Sequence, residues 1–520
     1  MSLPGWLEPL PDAEQQRALD SWAIEQLGIP GIDLMELAGT GLADLVGGLV
    51  PAGPIAVVCG KGNNGGDGFV AARVLRQRGR EVRVLLLAEP EELRGDARVN
   101  FERLPAEPPE PFTAGALEHA AGIIDAILGT GFAGEPREPA AGAIEAINEA
   151  GAQGTVVVAC DVPSGVDAST GEALGVAVRA AMTATFNAAK PGLWIAPGKS
   201  LAGEVSVVEI GIPAGGPVEP TIGLIHRSVI DGIPRRGRES TKFAAGNVVV
   251  CGGSIGLTGA PCLASEAAAR TGAGYVTACV PRSLNLVFEM RLLEVMTVPL
   301  PDSEGALTPD GVSTVLERAG RGGALVLGPG LGRSDGAVAL ARAVAGGAVV
   351  PLLLDADGLN AHAGRLDSLA GREAPTVLTP HAGELARLLG VQSAEIEARR
   401  LYSARAAATQ ANAIVVLKGD DTIVAMPDGR AAVSTGGSSA LATAGTGDVL
   451  SGVIAALLSK RMDPFHAASA GVFLHAAAGR LSAVEVGSEG VIASDVIERL
   501  PAALAGHAGR GSDAGAGSLR

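Results

Sequence analysis

The sequence predicts an α/β protein of two doubly wound domains, and three observations carry that prediction. Short Val/Ile/Leu runs bounded by Gly, Asp or Pro recur along the chain, with helical patterns between them. The runs are continuously apolar, as in parallel strands covered on both faces. Nearly every polar motif follows directly on such a run, where open α/β sheets bind their ligands. In the first half the runs are 55–59, 82–88, 123–128, 155–160 and 205–210. In the second they are 247–251, 275–280, 324–327, 351–354, 414–417 and 422–425. The turn-rich stretch 211–220 reads as a boundary and 235–239 as an exposed approach to the next domain. Domains are therefore expected over 1–215 and 225–505, with the Gly/Ala/Ser-rich segment 506–520 a disordered tail.

With 520 residues the chain has room for two or three cores. Aromatics are only 3% and Ala is abundant, which suits helices packed closely on sheets. A net charge of −16 repels a phosphate backbone or an anionic bilayer, so neither nucleic acid nor membrane is expected as a partner. An anionic small molecule can still bind where backbone N–H groups converge. No run reaches the roughly 18 to 20 apolar residues of a spanning helix. The N-terminus has an early acid, Glu8, and no basic segment, unlike a signal peptide. The five cysteines form no CxxC pair. Cys59, Cys160, Cys251 and Cys279 read as buried free thiols, and a cytoplasmic location is expected. A homo-oligomer is expected.

The first motif is Gly60-Lys-Gly-Asn63-Asn64-Gly65-Gly66-Asp67-Gly-Phe69, directly after 55–59. Its five glycines are read as serving a ligand rather than packing. The spacing Gly60-x-Gly62-x-x-Gly65 fits a dinucleotide fingerprint, and Glu89 falls about where a ribose-binding acid belongs. The tip departs from that pattern. A loop that only admits a pyrophosphate needs N–H groups and has no use for an anion, whereas amide and carboxylate oxygens suit a hard cation or ribose hydroxyls. Three further clusters follow: Asp125 with Gly129-Thr-Gly-Phe-Ala-Gly134, then Asp161-Val-Pro-Ser164-Gly-Val-Asp167, then Lys190-Pro-Gly192. One Asp after a strand reads first as a helix N-cap; the ordered set does not.

From about Leu19 to about Gly211 this set resembles the NAD(P)H-hydrate epimerase family, carried by GKGNNGGDG, DAILGTGFAG, DVPSGVD and FNAAKPGL in order. The resemblance implies a Rossmann-like domain that binds NAD(P)HX, a nicotinamide dinucleotide damaged by water addition at C6 of the reduced ring. It implies that Asn63, Asn64, Gly65, Gly66, Asp67, Gly129, Thr130, Gly131, Phe132, Ala133, Gly134, Glu135 and Asp161 contact this substrate. It also implies a potassium ion on Asn64, Asp125 and Ser164. Interconverting the R and S forms needs a proton acceptor or donor near the ring; Asp161 is the candidate. Lys190 is read as positioning or balancing charge, with a solvated or structural role as its alternative.

In the second half, Thr443-Ala-Gly445-Thr446-Gly447-Asp448-Val-Leu-Ser-Gly452 opens an apolar helix. N–H groups of a Gly-rich turn at a helix N-terminus form an anion pocket. Asp448 there is either a helix-dipole partner or the base for a hydroxyl attacking a phosphate. The turn resembles the ribokinase-like superfamily, which implies the base. Gly252 to Pro261, Gly328 to Gly332, Asp355 to Asn360, Thr379 to Glu384 and Lys418 to Thr422 accompany it in order.

Over about 238–504 this resembles the ADP-dependent NAD(P)H-hydrate dehydratase family, which implies a ribokinase-like domain. By that resemblance Ala260, Gly330, His381 and Asp448 line the hydrate site, and Lys418, Gly419, Asp420, Asp421, Thr422 and Gly447 hold ADP. The implied reaction uses Mg2+ and phosphorylates the C6 hydroxyl of the S form, after which loss of phosphate restores NAD(P)H. One departure is Thr241-Lys242-Phe243, where the family usually reads His-Lys-Gly. The competing reading is a ribokinase-like small-molecule kinase carrying an N-terminal dinucleotide-binding module.

Overall fold

The computed structural model describes residues 2–104, 108–238, 241–242 and 245–506. The expected tail, apart from Gly506, and Phe243 lie outside the described residues. The described chain forms two compact units, one of residues 2–3 and 9–223, the other of residues 4–8 and 224–506.

The first unit is built on a seven-stranded sheet running Glu110–Pro111, Val82–Leu86, Ile55–Cys59, Gly122–Ala126, Val156–Cys160, Met182–Phe186, Glu204–Val208 from edge to edge. All six pairings are parallel. Helices Gly31–Leu49 and Asn63–Gln77 share one apolar core with the sheet. Helix Ala140–Ala152 packs in a second core. The strand Met182–Phe186 escaped sequence reading because its Thr183 and Thr185 break the apolar run. Both are buried, and Thr183 Oγ1 is satisfied by the Ala202 carbonyl at 2.6 Å. The chain proceeds outward from 55–59 and then returns to its other side at 122–126, which makes a topological switch point there.

The second unit is built on an eleven-stranded sheet, ordered Leu7–Pro9, Ile222–Ile225, Ala431–Val433, Ile423–Ala425, Ile414–Leu417, Thr376–Leu378, Leu352–Leu354, Ala324–Leu327, Asn247–Cys251, Tyr275–Pro281, Met296–Leu300. From 414–417 to 296–300 the pairings are parallel. The hairpins through 423–425 and 431–433 are antiparallel, so the sheet is mixed rather than wholly parallel. Five of these strands, 7–9, 222–225, 296–300, 376–378 and 431–433, carry too little apolar run to be read from sequence. A second switch point lies at 247–251, flanked by 275–281 and 324–327. All five cysteines are buried and free. Among the described residues no helix is long and apolar enough to cross a membrane.

Candidate active sites

In the first unit a cleft of roughly 810 Å³ opens at the switch point. Asn63, Asn64, Asp67, Gly129, Thr130, Gly131, Phe132 and Asp161 line it, together with Lys190. Gly65, Gly66, Ala133, Gly134 and Glu135 do not line it. The glycines of the first motif correct the sequence reading, since several of them are there for packing. A Cβ on Gly60 would lie 2.1 Å from the Ile127 carbonyl oxygen, and one on Gly65 would lie 2.0 Å from that of Gly60. One on Gly66 would meet Met35 Sδ at 2.6 Å. Their absence lets helix Asn63–Gln77 start tight against the strand ends, with its N-terminal N–H groups at the cleft. Glu89 caps a short turn instead of lining the cleft; Glu92, paired with Lys61 at 2.8 Å, lines it.

Asp161 follows Val156–Cys160 with a left-handed backbone, φ 64°, a conformation that clusters at active sites. Lys190 Nζ donates to its Oδ1 at 2.6 Å, Thr185 Oγ1 at 3.1 Å and the Phe186 N–H at 3.3 Å. Thr130 Oγ1 donates to Oδ2. Burial alone would raise this carboxyl, but the Lys190 charge and these donors outweigh it and hold the pKa below the usual range. Lys190 is fully buried, with Thr185 Oγ1 at 3.0 Å and the Phe186 carbonyl at 2.8 Å completing its ammonium. A solvated role for it is therefore overturned.

Asp67 is the opposite case. Burial, then the charges of Asp161 and Asp20, push it well above the ordinary value. Asp20, on helix Ala13–Glu25, also lines the cleft, accepts from Gln16 Nε2 at 2.9 Å and is raised by burial. Sequence reasoning missed it, since an Asp in a helix far from the Gly-rich loops carries no local signal.

Asp125 and Ser164 are wholly buried beneath this cleft. Ser164 donates to Asp125 from Oγ at 2.6 Å and from its N–H at 2.8 Å. Ser164 Oγ also accepts from the Leu128 N–H at 2.8 Å. Asn64 borders the next residue, since a Cβ on Gly129 would lie 2.8 Å from its Oδ1. Burial raises Asp125 to about 6, its hydrogen bonds opposing. The buried Asn64 Nδ2 has no hydrogen-bond partner among the described residues.

In the second unit, the motif residues gather past the carboxyl ends of the central strands. Gly445, φ 91°, precedes helix Thr446–Ser459, and Asp448 stands in its first turn. Lys418 follows Ile414–Leu417, and its Nζ lies 3.1 Å from Asp355 Oδ1 and 3.7 Å from Glu384 Oε2. A Cβ on Gly447 would sit 3.4 Å from that ammonium, so Lys418 reaches the helix N-terminus. Burial opposes the Lys418 charge, yet Asp355, Glu384 and Asp448 together raise its pKa. Asp448 accepts no hydrogen bond from the described residues. Burial, then Asp355, raises it to about 7 against the pull of Lys418.

Asp355 opened one of the quoted motifs, but the sequence reading gave it no role. It is buried, accepts from Ser451 Oγ at 2.7 Å and ties Lys418 to helix Thr446–Ser459. Burial lowers the pKa of His475 to about 4, against a hydrogen bond with the Thr446 backbone.

Other expected residues have structural work. His381 caps helix Ala382–Leu389, its Nδ1 accepting from the Gly383 N–H at 3.0 Å, with the rest of the ring exposed. Asp421 is buried against Arg400 Nε at 2.8 Å, and Thr422 Oγ1 donates to the Gly419 carbonyl at 2.6 Å. Gly330 has φ 61°, and its carbonyl accepts from Ser254 Oγ at 2.9 Å beside the second switch point. Ala260 is partly buried at the start of helix Gly259–Arg270.

Two family patterns match the chain, the YjeF-related protein N-terminus over 31–192 and NAD(P)H-hydrate dehydratase over 248–502. A bifunctional NAD(P)H-hydrate repair enzyme of Moorella thermoacetica is 41% identical over 95% of this chain and 96% of its own. The chain belongs to the family of bifunctional NAD(P)H-hydrate repair enzymes. Its relative from Salinibacter ruber is 37% identical over 97% of both chains. A solved ADP/ATP-dependent NAD(P)H-hydrate dehydratase from Bacillus subtilis, co-crystallised with ATP/Mg2+, is 31% identical and covers 53% of this chain and 94% of its own, with a TM-score of 0.46. Membership of the repair family over nearly the whole length sets aside the small-molecule kinase reading.

Proposed function

We propose that the first unit epimerises NAD(P)HX at C6 and the second dehydrates the S form with ADP, releasing AMP and phosphate. One observation carries both halves: each crevice pairs an aspartate of perturbed proton affinity with a lysine, Lys190 bonded to Asp161 and Lys418 reaching the helix N-terminus that carries Asp448.

In the first unit the substrate carbon C6 bears both a hydroxyl and the ring nitrogen, so it opens like a hemiaminal. Asp161, held ionised, takes the hydroxyl proton; the C6–N1 bond breaks as a carbonyl forms at C6. Asp67, its proton affinity raised by burial, protonates the departing nitrogen, and reclosure on the other face inverts the centre. Two carboxyls pushed apart in this way divide the base and acid roles. The oxygens present suit a monovalent cation: Asp125 is buried with no cationic partner among the described residues, Ser164 Oγ meets it at 2.6 Å, and Asn64 Oδ1 stands beside Gly129 at the edge of the same turn. Potassium held there would neutralise this carboxylate and fix the 128–131 turn that shapes the cleft.

In the second unit Asp448 takes the C6 hydroxyl proton, and the oxygen attacks the terminal phosphorus of ADP as AMP leaves. N–H groups of 445–447 and Lys418 stabilise the phosphate charge. Departure of phosphate from C6 and a proton from C5 restores the ring double bond. No group of three His, Cys, Asp or Glu able to hold a metal occurs among the described residues. Mg2+ therefore fits as an ion carried on the nucleotide phosphates, where it neutralises charge. The buried free thiols suit a reducing cytoplasm.

The test supplies mixed R and S hydrates of NADH with ADP and Mg2+ and follows the reduced-nicotinamide absorbance at early times. Full recovery is expected. Recovery stalling at the S fraction in Asp161→Asn assigns the first unit; no recovery with the unaltered chain overturns the reading.

A further inference from the structure

The second unit holds another cavity, of roughly 1010 Å³, at the end of the sheet opposite the Lys418 crevice. Asn247, Tyr275 and Met296, the first residues of three parallel strands, stand in its wall. The motif residues Gly252, Gly328, Asp355 and Lys418 instead follow carboxyl ends. A strand of five residues separates the two sites by about 16 Å.

Its charge is anomalous. Arg318, Arg321, Lys460 and Arg461 line it and no acid does, in a chain of net charge −16. Outside its lining, Lys242 Nζ stands 4.8 Å over the ring of the lining residue Tyr275. Arg318 and Arg461 make no side-chain hydrogen bond or ion pair among the described residues, and Arg318 Nε is buried without a partner. Arg461 holds a left-handed backbone, φ 61°. Lys460, its Nζ donating to the Thr271 carbonyl at 3.0 Å, is lowered to about 8 by burial and by Arg236 and Arg235. Unpaired guanidiniums converging on one cavity are matched by a phosphate, which accepts their forked donors in pairs. The volume is at the upper end for a small-molecule pocket and takes a ligand of nucleotide size.

We propose that this cavity binds a phosphate-bearing small molecule, separately from the nucleotide crevice. The probe is pyrophosphate, titrated calorimetrically without Mg2+ into the full chain. In a Lys418→Gln background, which weakens the crevice, pyrophosphate binding beyond that of the first-unit cleft should persist. Adding Arg318→Gln and Arg461→Gln should weaken it at least about tenfold, since the charged donors that face the phosphate are lost. Arg318→Lys with Arg461→Lys should restore part of it. In the unaltered chain, pyrophosphate should protect Arg318 and Arg461 from phenylglyoxal, a readout that needs no variant. Binding lost with Lys418→Gln alone, or binding and protection indifferent to the arginine pair, overturns the proposal.

Discussion

Replacing Asp448 with Asn should abolish dehydration while making the protein more stable above neutral pH. The carboxyl is raised from 3.8 to about 7 by burial and by Asp355. The folded state thus holds the proton more tightly than the unfolded chain, so this group favours folding only while protonated. Its contribution falls as pH rises from about 4 to about 7 and stays constant beyond. Three pKa units at ~1.4 kcal/mol each set an upper bound of ~4 kcal/mol, and partial exposure brings the expected gain to about 2–4 kcal/mol at pH 8. Asn keeps the shape without the charge, so at pH 4 the gain should vanish. For a unit of this size that is roughly 4–8 °C in Tm, read by calorimetry at the two pH values. The same residue as base contributes about 10²–10⁴ to the rate, and kcat/KM of the unaltered enzyme should rise through about pH 7. An Asn variant with normal turnover, or one whose gain over the unaltered chain is no larger at pH 8 than at pH 4, would refute the assignment.

Three further outcomes follow from other parts of the molecule. Lys190→Met should cost about 3–5 kcal/mol by leaving Asp161 buried and unpaired, measured by urea unfolding. Asp161→Asn in the same chain should recover most of that loss, and a double variant as unstable as Lys190→Met would argue against the pair. Potassium should raise the Tm of the first unit more at pH 7.5 than at pH 5, because protonation of Asp125, raised to about 6, removes the charge it balances. At a concentration of 100 Kd the gain is ~2.7 kcal/mol; an equal potassium effect in Asp125→Asn would move the ion elsewhere. Gly65→Ala should lose about 1–3 kcal/mol, since its Cβ would stand 2.0 Å from the Gly60 carbonyl oxygen. Unchanged stability with lost substrate binding would return that glycine to a purely ligand-facing role.

The sequence alone determined the α/β class, the order of the motifs and the chemistry on offer, because those depend on local facts. A continuous apolar run makes a buried strand wherever it sits, and a polar motif directly after one reaches the ligand end of the sheet. Asp161 and Lys418 were legible for that reason, Asp125 as the acid inside such a run, and Asp448 from the Gly-rich turn that opens its helix. The tertiary structure decided which of these groups are charged and which touch. Lys190 is fully buried against Asp161, burial raises the proton affinity of Asp67, Asp355 joins Lys418 to Ser451, and Asp20 enters the cleft from a helix with no motif. Short strands broken by Thr or Pro, such as 182–186 and 296–300, also waited on their neighbours. The Gly-rich loop joins the two levels. Its composition announced a site, but the carbonyl oxygens about 2 Å from the missing Cβ positions of Gly60 and Gly65 come from chain close by in space. Proton affinity and close approach are set by whatever distant sequence packs nearby, and no local pattern records that.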